Sequence, residues 1–207
     1  MAIALPADVV SWIGKDIDAA RQEELVNCIA LAQVWIANQA GLRSLEKEAA
    51  AITEYIDSDT MPNQDELWLS PACRPAWHTG TSSDLMTVVE SGTTQGLSIG
   101  YTASSNVVIA GANRFDRVRL SRAGGWVRWG KQNIAVALKC GFDPDPAAAV
   151  NPVPLDVKRL VMEVAWLTLN SPSRAGKTSI NKAGQSVSLL DELSPAGRAT
   201  LDWLRGI

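Results

Sequence analysis

Hydrophobic positions recur at three- and four-residue intervals near both ends of the chain and at every second residue through its middle. The first spacing is that of a helix with one buried stripe, the second that of a strand with one buried face. Pro6 to Ile13 therefore reads as a short helix, with proline suited to its first turn and Gly14 to its end. Asp18 caps a second helix that runs to about Ala40 and is closed by Gly41. Leu25, Cys28, Ile29, Ala32, Trp35 and Ile36 form its continuous apolar stripe. Asp18, Glu23 and Glu24 place negative charge in its first turns, where the helix dipole favours it.

From Ala49 the period shortens. Ile52, Glu54 and Ile56 alternate with Thr53 and Tyr55, and Glu66 to Leu69, Leu85 to Glu90, Leu97 to Tyr101 and Val107 to Ala110 read as further short strands. Asp57-Ser58-Asp59 and Pro62-Asn63 supply turns, and residues 71–83, rich in Pro, Ser, Thr and Gly, read as a loop. The clearest alternation lies between Arg117 and Phe142. Val118 and Leu120 point one way and Arg117, Arg119 and Ser121 the other; further on, Ile134, Val136 and Leu138 oppose Asn133, Ala135, Ala137 and Lys139. Gly124-Gly125, Trp126, Arg128, Trp129 and Gly130 read as the connection of a long hairpin between these two strands.

Prolines from Asp143 to Pro154 make a stiff link, since each fixes φ and disfavours helix in the residue before it. The third helix, about Leu155 to Asn170, has two apolar stripes. Val157, Leu160, Val161 and Val164 form one, and Leu155, Met162, Trp166 and Leu169 the other, leaving Asp156, Arg159, Glu163 and Asn170 as a narrow polar strip. A surface helix needs only one such arc. This helix is therefore the centre of a helical layer, or one of its sides packs on a neighbouring subunit. A polar loop follows to about Val187, and Ser194-Pro195 starts a last helix that ends near Arg205. The fold class is α+β: a helical layer from both chain ends, residues 1–47 and 143–207, with an antiparallel sheet inserted over residues 48–142.

Composition narrows the function classes. The hydrophobic share of 46% marks a globular chain, and a net charge of −3 excludes wrapping of nucleic acid by bulk attraction. The first residues lack a basic leader, and no apolar run reaches the ~18 residues of a membrane span, so a soluble chain is expected. Cys28, Cys73 and Cys140 are far apart and read as reduced thiols. His78 is the single histidine and reads as a loop residue; with Cys73 it supplies at most two of the four ligands of a zinc site, no metal is expected, and no Ser-His-Asp or Cys-His arrangement is read from the chain. The Asp57/Asp59 and Asp143/Asp145 pairs lie in turns, where aspartate belongs for backbone reasons.

Two motifs carry rival functions. Residues 171–178, Ser171 to Gly176-Lys177-Thr178, resemble a phosphate loop and would make the chain a nucleotide-dependent enzyme. The first glycine is missing, however, and the loop follows a helix rather than a strand. The other is the basic stretch of Arg114, Arg117, Arg119, Arg122, Arg128 and Lys131 beside Trp126 and Trp129. Such a surface suits a monomeric β-sheet binding module for sugar or single-stranded nucleic acid. The same arginines are also what the solvated face of a sheet requires.

The run Gly125-Trp126-Val127-Arg128-Trp129-Gly130-Lys131-Gln132-Asn133-Ile134-Ala135-Val136, followed by Gly141-Phe142 and a proline-rich step into a helix, resembles the head–tail connector (adaptor) proteins of long-tailed phages. That family often shows Gly-x-Trp-x-x-Gly-x-Gln-Asn-Val, an aromatic strand end, Gly-Tyr and then a helix. Here Ile134 replaces the valine, Leu138 the aromatic and Phe142 the tyrosine, changes conservative in shape. Arg74-Pro75 matches the family's arginine-proline step, and the N-terminal helix pair its usual beginning. The resemblance covers nearly the whole chain in order. It implies a structural virion protein of the phage neck, assembled in the bacterial host cytoplasm, with no enzymatic activity, cofactor or membrane. It would form a homo-oligomeric ring, a dodecamer, beneath the portal protein, extend the DNA channel without sequence specificity, and dock a downstream neck, stopper or tail protein. Arg174, Lys177 and Lys182 are then the candidates for facing the channel or portal. Met162, Trp166, Leu169, Trp126, Arg128 and Trp129 are the candidate subunit contacts.

Overall fold

A computed structural model describes residues 2–57, 66–77, 86–95, 97–98, 107–110, 117–122, 125–126, 131–145, 147–148, 150–170, 179–182 and 185–206. In chain order the elements begin with α1 (Pro6–Ile13), α2 (Ala19–Ala40), β1 (Ile52–Ile56), β2 (Glu66–Trp68), β3 (Thr87–Glu90), β4 (Thr93–Gln95) and β5 (Leu97–Ser98). They continue with β6 (Val107–Ala110), β7 (Arg119–Arg122), β8 (Ile134–Leu138), α3 (Leu155–Leu169), β9 (Ser179–Lys182), β10 (Gln185–Ser188), α4 (Leu189–Glu192) and α5 (Pro195–Arg205). The fold is α+β. Two compact units divide it: Met1–Glu46, Asp143–Ala148 and Pro152–Ile207 make the first, Lys47–Phe142 and Ala149–Asn151 the second.

In the first unit, local signals set the helix ends. Asp18 accepts a hydrogen bond from the Arg21 amide at 2.9 Å, and Gly41, at φ 65°, closes α2 in the left-handed region that a side chain disfavours. Ser194 Oγ accepts from the Gly197 amide at 3.0 Å and starts α5. The α2 stripe is buried except for Trp35, which is half-buried. Helix α3 packs on α1, α2 and α5, and Val157, Leu160, Val161 and Val164 are all buried. Its second stripe divides: Met162 and Leu169 are buried within the chain, Trp166 is half-buried and Leu155 is exposed. The expected loop to Val187 is corrected over residues 179–188, where β9 and β10 pair antiparallel with Gln185 opposite Lys182. With one apolar residue each, these two segments carry no strand period in the sequence.

The second unit holds two four-stranded sheets. One, ordered β1-β8-β3-β4, is antiparallel throughout; Ile52 faces Leu138 and Val88 faces Val136. Ser91 and Gly92, both at positive φ (48° and 84°), join β3 to β4, a strand the sequence pattern misses. The other sheet, ordered β2-β7-β6-β5, includes a parallel pair, β5 with β6. The long hairpin expected between β7 and β8 is therefore corrected, because these strands belong to different sheets. Their apolar faces, Leu120 on one and Ile134, Val136 and Leu138 on the other, enter one shared core with Leu67, Val88 and Ile109. Alternation reports which face is buried, not which strand lies alongside. At the ends of this unit the Lys47 amide donates to the Phe142 carbonyl (2.8 Å) and the Glu48 amide to the Cys140 carbonyl (3.0 Å). Trp77, buried close by, donates from Nε1 to the Gly141 carbonyl at 2.7 Å, with the Lys47 ammonium 3.8 Å from the centre of its ring.

Candidate assembly surface

Along the first unit runs a groove floored by the polar strip of α3 and walled by α1 and α5. It consists of three adjoining depressions of about 320, 140 and 250 Å³. Trp203 and Thr200 line one end, Arg159 and Glu163 the middle, and Trp12, Trp166 and Lys15 the other end. Trp12 and Trp203 are 44% and 45% exposed, far from the burial that tryptophans in a finished core reach.

Both walls are held by carboxylates. Asp8 accepts from the Leu5 amide at 2.8 Å and from Lys158 Nζ at 2.9 Å, which caps α1 and ties it to α3. Burial raises the Asp8 pKa, but the Lys158 hydrogen bond, the Leu5 amide and the Lys158 charge together outweigh it, and the net shift is downward. Glu163 on α3 accepts from the Ser194 amide (Oε1, 2.5 Å) and from Ser194 Oγ (Oε2, 3.0 Å), so its charge stands at the positive end of α5. Arg205 Nε donates to the Gln39 carbonyl at 3.0 Å and secures the other end of α5 on α2.

On α2, the side turned away from the buried stripe carries a second apolar surface. Val26, Leu31 and Val34 are 53%, 41% and 59% exposed, and Ala30 lies among them. Glu23 and Glu24 flank this ridge at its N-terminal end, and Asn38 follows at its C-terminal end.

In the second unit the three described arginines of the basic stretch, Arg117, Arg119 and Arg122, are engaged with the protein itself, and Arg114 lies outside the described residues. Arg117 Nε donates to the Leu69 carbonyl (2.7 Å), Arg119 pairs with Glu66 (2.9 Å), and Arg122 pairs with the buried Glu90. Arg117 and Arg119 also lie 5.5 and 5.8 Å from the centre of the exposed Trp68 ring. Glu54 accepts from the Ser70 amide at 3.0 Å. Its pKa is raised by burial, against the opposing Ser70 hydrogen bond and Arg117 charge.

Of the candidate subunit contacts, Met162 and Leu169 are buried in the helical core of their own chain. Trp166 stays half-buried at one end of the groove. Trp126 is buried, which removes it from any ligand-stacking surface, and its Nε1 has no partner among the described residues. Arg128, Trp129, Arg174 and Lys177 lie outside the described residues, and only the backbone of Lys182 is described, at the end of β9. Thr178 is followed by a strand rather than the helix a phosphate loop must open. Trp12 and Trp203 were not singled out from sequence. For Trp203 a signal existed, since it falls off the Gly197-Leu201-Leu204 stripe of α5; Trp12, three residues after the buried Val9, carries none. Among the described residues no group of three or more His, Cys, Asp or Glu side chains is placed to hold a metal, and no helix is long and apolar enough to cross a membrane.

No family model matches the chain, and no curated protein matches it.

Proposed function

We propose that the chain is a head–tail connector of a long-tailed phage or prophage. It acts in the virion neck as a ring, a dodecamer, beneath the portal, extends the DNA channel and docks the next neck or tail component. It has a structural role and no catalytic one. Assembly takes place in the cytoplasm of the bacterial host, and DNA passes through the ring without base contacts, with Arg174, Lys177 and Lys182 facing phosphates or portal. Support comes from the residue 125–142 run, in its place at the end of the β-rich unit and ahead of α3 in chain order. The observation that carries the reading is the helical unit's pair of exposed apolar surfaces, the tryptophan-walled groove and the α2 ridge. Exposed tryptophans and aliphatic side chains grouped in this way, rimmed by polar residues, mark an interaction site.

The test is electron microscopy of particles from a phage or prophage with a stop codon in this gene. DNA-filled or leaking heads beside free, complete tails are the expected result. Normal tailed particles would overturn the proposal.

A further inference from the structure

We infer that the groove and the ridge are the two halves of one contact: the α2 ridge of one copy seats in the α1/α3/α5 groove of the next. This names the subunit contact of the ring proposed above and rests on that reading. The occupant follows from shape, position and charge. A convex apolar helix edge and a concave tryptophan-walled trough are both left open on the same unit. From Val26 to Val34 the ridge is about 12 Å long at 1.5 Å per residue, short enough to lie within a groove that follows most of α3. The ridge occupies the side of α2 opposite its buried stripe, and the groove the side of α3 opposite its own buried residues. The two surfaces therefore face outward from opposite sides of the helical unit, and one copy cannot satisfy both with a single two-fold partner. Such a contact is head to tail, and it closes into a ring when the rotation allows.

Charge sets the direction. The ridge is acidic at its N-terminal end, at Glu23 and Glu24, while at its other end Val34 and Asn38 adjoin the oppositely charged Arg43 and Glu46. Lys15 lies at the Trp12/Trp166 end of the groove; in the middle Arg159 is offset by Glu163 and by Asp156, its ion-pair partner, and Asp156 extends toward Trp203. The N-terminal half of α2 thus lies at the Trp12/Trp166 end of the neighbour's groove, and Val34 lies toward Trp203, Ala199 and Thr200.

The full chain tests this with two single-cysteine additions, Val34→Cys on the ridge and Ala199→Cys on the groove wall, at exposed positions. The three native cysteines are buried, and the parent chain serves as the control. With a short bismaleimide, an equimolar mixture should give a cross-linked pair, while either variant alone should not. Lys15→Glu or Glu24→Lys alone should cut the cross-linked yield on the order of tenfold by placing like charges together, and the two combined should restore it. Circular dichroism identical to the parent's shows that each variant is folded. Cross-linking of Val34→Cys with itself would mean a two-fold ridge-to-ridge contact and overturn the inference, as would no product in the mixture. The ring reading separates cleanly from this contact. Rings in particles without the mixed cross-link would keep the connector and refute the contact; the mixed cross-linked pair recovered from open strings, with no rings formed, would keep the contact and refute the ring.

Discussion

Replacing Gly197 by alanine ought to stabilise α5 by the usual rule, since alanine is favoured over glycine inside a helix by up to about 1 kcal/mol. The structure predicts the opposite sign. A Cβ at Gly197 would stand 2.5 Å from Glu163 Oε2 and 3.3 Å from its Cδ, well inside the ~3.5 Å at which carbon contacts become favourable. The Glu163 carboxylate is the flexible partner, so it must move. It cannot do so while holding both the Ser194 amide and Ser194 Oγ. Hydrogen bonds to charged groups contribute about 1.5–3 kcal/mol, and the half-exposed setting of this pair points to the lower part of that range. Against the helix-propensity gain, the net change is a loss of about 1 kcal/mol, or about 2–4 °C in Tm for a chain of this size. Urea denaturation followed by the helical circular dichroism signal reads this as a lower midpoint at unchanged slope. In a Glu163→Ala background the obstruction is gone, and the same Gly197→Ala change should then raise the midpoint. If Gly197→Ala raises stability in the parent, Glu163 yields freely and does not lock α5 against α3.

Two further outcomes concern carboxylates with shifted pKa values. The Asp8 pKa is depressed in the folded state, so its contribution is present above the ordinary carboxylate pKa and lost as pH falls through the folded value. Asp8→Asn should therefore cost about 1 kcal/mol at neutral pH and progressively less in acid, measured as urea midpoints along a pH series; a penalty independent of pH would show that the Lys158 pairing contributes nothing. Glu54 has the reverse sign. Its raised pKa makes its contribution fullest below the ordinary value and diminished as pH rises through the folded one. Glu54→Gln, which keeps an acceptor for the Ser70 amide, should gain stability relative to the parent from acid to neutral pH, and a constant difference across that span would refute the burial argument.

The helix ends were legible in the sequence because their causes are local. Asp18, Gly14, Gly41 and Ser194 act within one turn of the positions they mark, and the structure places them at those ends. The buried faces of β7 and β8 were legible for the same reason, since alternation needs only the chain itself. The partners of those strands were not. Leu120 and Val136 enter the shared core from different sheets, and nothing in the spacing of either strand names its neighbours. β9 and β10 were invisible because Ser-Ile-Asn-Lys and Gln-Ser-Val-Ser carry one apolar residue each, too few to set a period of two. At the candidate surface, the double stripe of α3 announced an unusually buried helix but could not tell a neighbouring helix from a neighbouring subunit. Met162 and Leu169 found their partners within the chain, while Leu155 of the same stripe, Trp12, Trp203 and the far side of α2 stayed open.

The hydrogen bonds that tie Lys47 and Glu48 to Phe142 and Cys140 have a consequence for how the molecule tolerates change. The β-rich unit leaves and re-enters the helical one through strand ends already fastened side by side. For α2 and α3, docking does not require closing a loop as long as the intervening chain; the entropy of bringing the ends together is met inside the β-rich unit itself. Strands and turns far from that clasp can lengthen, shorten or be exchanged while the helices remain indifferent. The chain can thus vary what the β-rich unit presents and keep the helical unit constant.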